Sequence, residues 1–132
     1  KYDTAVKYTL EGIELLKQVP NADSYIISSH YNQIAMIYAK QNDYISALPY
    51  YLESYQHLKA AVAEGNNTAL AESLFNLAYA SLKAKKYEDF EKYLDEYQAT
   101  VNKEDAKGNE LMVCEGLNQI GVQLLEDKKY EF

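Results

Sequence analysis

The stretch YNQIAMIYAKQNDYISALPYY, residues 31 to 51, decides the fold. In its first half, large apolar or small residues recur at i, i+3, i+4 and i+7, the spacing of one face of an amphipathic helix. These residues are Tyr31, Ile34, Ala35 and Tyr38. Three polar residues, 41–43, then interrupt the pattern, and a second helical stripe begins at Tyr44. The stretch therefore predicts two antiparallel helices joined by a short turn, which is a helical hairpin.

The same pattern occurs three times along the chain at a constant interval. Tyr44, Tyr87 and Tyr130 lie 43 residues apart. A large apolar residue stands 13 positions before each tyrosine, a branched one 10 before and a small one 9 before. These columns are Tyr31, Leu74 and Leu117; Ile34, Leu77 and Ile120; and Ala35, Ala78 and Gly121. Repetition of one hairpin predicts an all-α fold, an α-solenoid of stacked hairpins in a right-handed superhelix, with Tyr44 and Tyr87 in its core.

The repeat also predicts the helices and their grouping into one domain. Six main helices are expected, over residues 1–18, 22–40, 43–62, 67–84, 86–103 and 108–127. We expect 1–18 to be the second helix of a preceding hairpin, 22–62 and 67–103 to be repeats, and 108–132 to be a truncated repeat, so that the chain is a fragment. Ser24 is predicted to cap the second helix, and Pro49 to cause a kink or a 3₁₀ start in the third.

The composition excludes several classes of function. The 132 residues are 48% hydrophobic and carry a net charge of −7. No apolar run approaches the roughly 20 residues of a membrane span. Dispersed negative charge opposes attraction to phosphate backbones, so we expect no nucleic acid binding through this segment. The single cysteine, Cys114, cannot form an internal disulfide, and no secretory signal is recognisable, which together predict a cytoplasmic protein.

No constellation of residues predicts catalysis. Carboxylate pairs such as Glu88 and Asp89 are neighbours in sequence, so a helix points them in different directions. His30 and His57 have no partners at the spacing of a catalytic triad, and Cys114 lacks the clustered His or Cys residues of a zinc site. We therefore expect a protein that is not an enzyme and that holds no metal or cofactor.

The repeat resembles the tetratricopeptide repeat, and the resemblance covers nearly the whole chain. In that family, small residues on both helices, here Ala35 and Ala47, let the two backbones approach closely. Two positions depart from the pattern, since Phe90 replaces an alanine and Ser81 replaces a tyrosine. The period is 43 residues instead of the common 34. Long repeats of this kind resemble those of the cytoplasmic peptide-pheromone receptors of Gram-positive bacteria, the Rap, NprR and PlcR group, whose tetratricopeptide region binds a short signalling peptide.

The resemblance to these receptors implies a function and a site. Their first-helix side chains face a concave surface, where asparagines hold the peptide backbone. The corresponding residues here are Asn32, Gln33 and Met36; Phe75, Asn76 and Tyr79; and Asn118, Gln119 and Val122. Amides offer both donors and acceptors to an extended peptide. The resemblance thus implies a non-catalytic peptide- or protein-binding module, the ligand-sensing part of a bacterial transcriptional regulator in quorum sensing.

Alternatives to this interpretation stay open. The amides are also what the solvent-facing side of any amphipathic helix carries. A clamp for a peptide carboxylate would rest on Lys40 and Lys83 alone. The chain is also compatible with an assembly or adaptor scaffold that binds another protein or forms a homodimer. Its contact surface would be an uncovered apolar stripe on the first helix. That stripe is predicted to contain Val6, Leu10 and Ile13.

Overall fold

The structure, a computed structural model, describes residues 2–61, 68–102 and 118–126. Five helices are α1 (Tyr2–Gln18), α2 (Ser24–Lys40), α3 (Tyr44–Ala61), α4 (Thr68–Lys83) and α5 (Tyr87–Asn102). Residues 118–126 are also helical and are called α6. The described residues contain no strand, which confirms the all-α prediction, while residues 108–117 of the predicted sixth helix lie outside them. None of the described helices combines the length and the apolar character that crossing a bilayer requires.

The chain divides into two compact units, Lys1–Asn66 and Asn67–Phe132. The first unit contains α1, α2 and α3, and the second contains α4, α5 and α6. Each unit holds one of the expected hairpins, with α2 packed on α3 and α4 packed on α5. In the first unit α1 also packs on α2. The stacking of all hairpins into one right-handed superhelix with a 43-residue period stays a prediction.

The two hairpin turns use the same backbone conformation. The amide of Asp43 donates to the carbonyl of Tyr38 at 3.0 Å, which closes the end of α2 around Asn42. Asn42 has a φ of 59°, and Lys85 takes the same place after α4 with a φ of 61°. Asparagine adopts this left-handed region more readily than most residues do, which explains its use at the end of a helix. The polar turn predicted at 41–43 is confirmed.

A pair of buried serines joins α2 to α3. Ser28 Oγ donates to the carbonyl of Ser54 at 2.7 Å, and Ser54 Oγ donates to the carbonyl of Ser28 at 2.9 Å. Each buried hydroxyl is therefore satisfied by the facing helix. Ala35 and Ala47, which the sequence predicts at the crossing of the two helices, are fully buried.

One buried apolar cluster of the first unit lies between α1 and α2. Its buried members are Val6, Ile13, Ile27, Tyr31 and Ile34. The predicted uncovered stripe is therefore wrong, because α2 covers the side of α1 that carries Val6 and Ile13, and Leu10 is partly buried against the same core. A different face of α1 is bare, and it carries Tyr8 and Leu15.

Three local predictions need correction. The N-cap of α2 is Asp23 rather than Ser24, and its carboxylate accepts a hydrogen bond from the amide of Tyr25 at 2.9 Å. A carboxylate at this position also interacts favourably with the helix dipole, which a hydroxyl does not. Pro49 lies inside α3, which is α-helical from its first residue, so the 3₁₀ start is wrong, while the alternative of a kink stays a prediction. Tyr87, the first residue of α5, is exposed rather than in the core, whereas Tyr44 at the same position of α3 is half-buried.

The core of the second unit brings three helices together. One buried cluster contains Ala78 and Leu82 from α4, Phe90 from α5 and Ile120 from α6. Ile120 thus anchors α6 against the α4–α5 hairpin. Two buried hydroxyls, Ser81 Oγ and Tyr97 Oη, have no hydrogen-bond partner in the described part of the chain. Burial raises the pKa of Tyr97 above its ordinary value.

Candidate functional site

Four of the nine predicted groove residues line one cleft of about 380 Å³ in the second unit. They are Tyr79 from α4 and Asn118, Gln119 and Val122 from α6. The remaining lining residues are Lys83, Gln123 and Glu126. Because Asn118 and Gln119 are exposed, the cleft is open to solvent.

The α4 wall of the cleft is aromatic, and its rings pack against a buried tyrosine of α5. The ring centroids of Tyr79 and Phe75, one helical turn apart, are 6.2 Å apart. Phe75 in turn lies 5.7 Å from the ring of Tyr97, which is buried in the core. These ring contacts fix the position of the wall. Asn76, next to Phe75, is half-buried on the same helix and is not among the residues that line the cleft.

The α6 wall presents one face of a helix to the cleft. This face follows the i, i+3, i+4, i+7 spacing. It carries Gln119, Val122, Gln123 and Glu126. The buried residue Ile120 points to a different side of α6 and sets which face is left for the cleft. The Nζ of Lys83 donates to Oε1 of Gln123 at 3.0 Å, which joins the two walls.

Three residues of the cleft are not singled out by the repeat pattern. Lys83 follows Tyr79 by one helical turn, and Gln123 follows Gln119 by one turn. Glu126 completes the second turn after Gln119. Continuing the i, i+4 spacing from the predicted residues would have found all three. Gln123 adds an amide to the site, Lys83 a positive charge and Glu126 a negative charge.

The three predicted groove residues of the first unit lie on α2. The Nδ2 of Asn32 donates to the sulfur of Met36, one turn later, at 3.5 Å. Gln33 and Met36 are exposed. Since these residues belong to a different compact unit from the cleft, a continuous groove made from all nine stays a prediction.

The described histidine and carboxylate side chains form no metal site. Within the described ranges, no group of three or more His, Cys, Asp or Glu side chains is arranged to hold an ion. The Nε2 of His57 lies 3.7 Å from the carboxylate of Glu53, one turn earlier in α3, and its ring stacks on Tyr31 with centroids 5.6 Å apart. This arrangement is typical of an i, i+4 surface pair and of ring packing.

Comparison with known proteins leaves the family open. No protein-family model matches the sequence, and no curated protein aligns with it significantly. The resemblance to tetratricopeptide repeats and to peptide-pheromone receptors therefore rests on the residue pattern and stays a prediction.

Proposed function

We propose that this chain is a non-catalytic module that binds a peptide or an extended segment of a protein. The observation that supports this most is the cleft of the second unit. Tyr79 and Val122 lie 43 residues apart in sequence, and both line it. Two copies of the same repeat position thus contribute to one open cavity.

The chemistry of the cleft suits a peptide backbone. Its volume of about 380 Å³ lies within the range of small-ligand pockets. Asn118 and Gln119 each carry a donor and an acceptor, so they can pair with the N–H and C=O groups of an extended chain. Tyr79 and Val122 offer apolar surface to peptide side chains. The single lysine and the single glutamate balance each other, which favours a ligand chosen by backbone pairing over one chosen by charge.

The same proposal includes a sensing role. A ligand that contacts α4 and α6 together would restrict their relative tilt, and an attached domain would respond to that change. The resemblance to pheromone receptors supports a cytoplasmic, peptide-responsive transcriptional regulator of bacteria as the setting, with quorum sensing as the process. The net charge of −7 favours a protein or peptide partner over nucleic acid.

Selection from a random peptide library, followed by fluorescence anisotropy on the best peptide, tests this function. Asn118→Ala and Gln119→Ala should each weaken binding roughly two- to tenfold, since one net hydrogen bond contributes about 0.5–1.5 kcal/mol. Gln98→Ala, which removes an exposed amide from α5, is the matched control and should leave affinity unchanged. The proposal fails if the library yields no peptide with a Kd below about 100 µM, or if the control loses as much affinity as the cleft variants.

An assembly scaffold is a second candidate, and one observation favours it. Tyr8 and Leu15 lie exposed on the bare face of α1, where another protein or a second copy of the chain could pack. Light scattering separates the two candidates. A stable dimer without peptide affinity supports the scaffold. A protein that stays monomeric at all protein concentrations and binds peptide supports the cleft.

A further inference from the structure

The first unit contains a larger groove that runs along one side of α1 and reaches Tyr38 of α2. Its volume is about 740 Å³, and its surface is mainly apolar. Its apolar lining residues are Val6, Leu10 and Leu15 of α1 and Tyr38 of α2. We call this surface the α1 groove. It follows α1 from Asp3 to Leu15, a length of about 18 Å at 1.5 Å per residue, which matches about three turns of a docked helix.

The bare face of α1 beside this groove has a covered counterpart on α3. Tyr8 is 64% exposed, whereas Tyr51, 43 residues later, is 8% exposed. Leu15 is 65% exposed, whereas its counterpart Leu58 is 7% exposed. On α3 this face packs against α2. α1 therefore presents the residue types of a helix–helix contact with no helix on them in the described part of the first unit.

The charges around the groove select the kind of helix that fits. The ionisable residues that line it are Asp3, Glu11, Glu14 and Lys7. Glu14 also lies 4.0 Å from Nζ of Lys17, but this exposed pair contributes little. Glu11 occupies the position that Ser54 holds on α3, so a helix packed here meets a carboxylate instead of a hydroxyl. The chain's net charge of −7 opposes the approach of a second copy and favours a basic partner.

We propose that the α1 groove binds an amphipathic helix of another protein, one whose apolar face is flanked by lysine or arginine. The apolar face of that helix packs on Leu10, Leu15 and Tyr38, and its basic residues pair with Glu11 and Glu14. The surface belongs to the first unit and the peptide cleft to the second, so this inference does not depend on the cleft; it deepens the scaffold candidate, which rests on the same helix.

Two synthetic helical peptides of about 14 residues test the proposal on the 132-residue chain. Both carry the same Leu and Ala face, and the flanking positions are lysine in one and glutamate in the other. In fluorescence anisotropy the lysine peptide should bind at least about tenfold more tightly than the glutamate peptide. This preference should shrink when salt rises from about 50 to about 300 mM, because the charges at the groove are exposed and are screened.

Variants locate the binding surface. Leu15→Ser should weaken the lysine peptide at least about fivefold through lost apolar contact. Glu11→Lys should reduce the preference for lysine over glutamate. Ile45→Ser, which changes an equally exposed apolar residue on α3, should bind as the parent does. Asn118→Ala should also leave this binding unchanged, which keeps the outcome separate from that of the cleft.

Several results would overturn the proposal. Equal affinity for the two peptides would show that charge does not select the partner. A Kd above about 1 mM for the lysine peptide would show that the groove does not bind such a helix. Binding that Leu15→Ser leaves intact would place the peptide elsewhere. A dimer in light scattering that Leu15→Ser dissociates would make a second copy of the chain the occupant of the groove.

Discussion

α1 and α3 present the same repeat positions to opposite environments. On α3 the face that packs on α2 consists of Ala47, Tyr51, Ser54 and Leu58, and all four residues are buried. The positions 43 residues earlier, Thr4, Tyr8, Glu11 and Leu15, are all exposed on α1. Two of the four pairs are even the same residue type, a tyrosine and a leucine. The neighbouring helix, and not the residue type, therefore decides whether these positions are buried.

The largest expected effect comes from the leucine pair of this comparison. Leu58→Ala should lower the free energy of unfolding by about 2–4 kcal/mol, because it removes a buried side chain and leaves a cavity. Leu15→Ala should change it by less than about 0.5 kcal/mol, because the side chain is already in water. Urea unfolding of both variants, followed by circular dichroism, measures the difference. Similar losses for the two variants would mean that Leu15 is covered as Leu58 is.

A smaller effect is expected at the serine contact between α2 and α3. Ser28→Ala and Ser54→Ala should each cost about 1 kcal/mol, since each removes a buried hydroxyl that donates to the facing helix. The double variant should cost less than the sum, because the two hydroxyls share one contact. Glu11→Ala, at the corresponding position of α1, serves as the control and should leave stability within about 0.5 kcal/mol of the parent. If urea unfolding shows that the double variant loses as much free energy as the two single variants together, the two hydroxyls do not share a contact.

Much of each hairpin follows from the sequence, because helical periodicity determines which residues share a face. Tyr31, Ile34 and Ala35 were predicted to share one face, and all three are buried. Periodicity does not determine which face of an outer helix is covered, and for this reason Val6 and Ile13 were assigned to the wrong environment. The cap of α2 was missed for a local reason, since Asp23 and Ser24 are adjacent and both carry a suitable acceptor.

The cleft was predicted only in part. Tyr79 and Val122 occupy one column of the repeat, which the resemblance assigns to a concave face; both line the cleft, and a peptide site there stays a prediction. The sequence points to Lys83 only for the alternative carboxylate clamp and does not point to Glu126. The i, i+4 spacing reaches both residues, but whether they share one cleft depends on how α4 and α6 pack and on where Ile120 is buried. A single column of a repeat contains no information on that packing.

The smallest expected effect concerns Tyr97, which occupies the position of Ser54 in the next repeat. Its hydroxyl is buried and has no partner among the residues that the structure describes, so Tyr97→Phe should raise the free energy of unfolding by at most about 1 kcal/mol at neutral pH. Burial raises the pKa of this tyrosine above 10.0, so the folded state keeps a proton that the unfolded state loses. Stability should therefore be level below about pH 10 and fall above it, and it should fall less in Tyr97→Phe. Urea midpoints at neutral and alkaline pH measure both effects, and a variant less stable than the parent at neutral pH would show that the hydroxyl has a partner.

Hydroxyl-radical footprinting with mass spectrometry tests the contrast between α1 and α3 most directly. One experiment on the unmodified chain measures how fast both tyrosines and both leucines of this comparison are oxidised. Tyr8 and Leu15 should be oxidised rapidly, while Tyr51 and Leu58 should be protected until the protein is unfolded in urea. Equal protection of the two tyrosines in the native state would contradict the account, because it would mean that α1 is covered in the same way as α3.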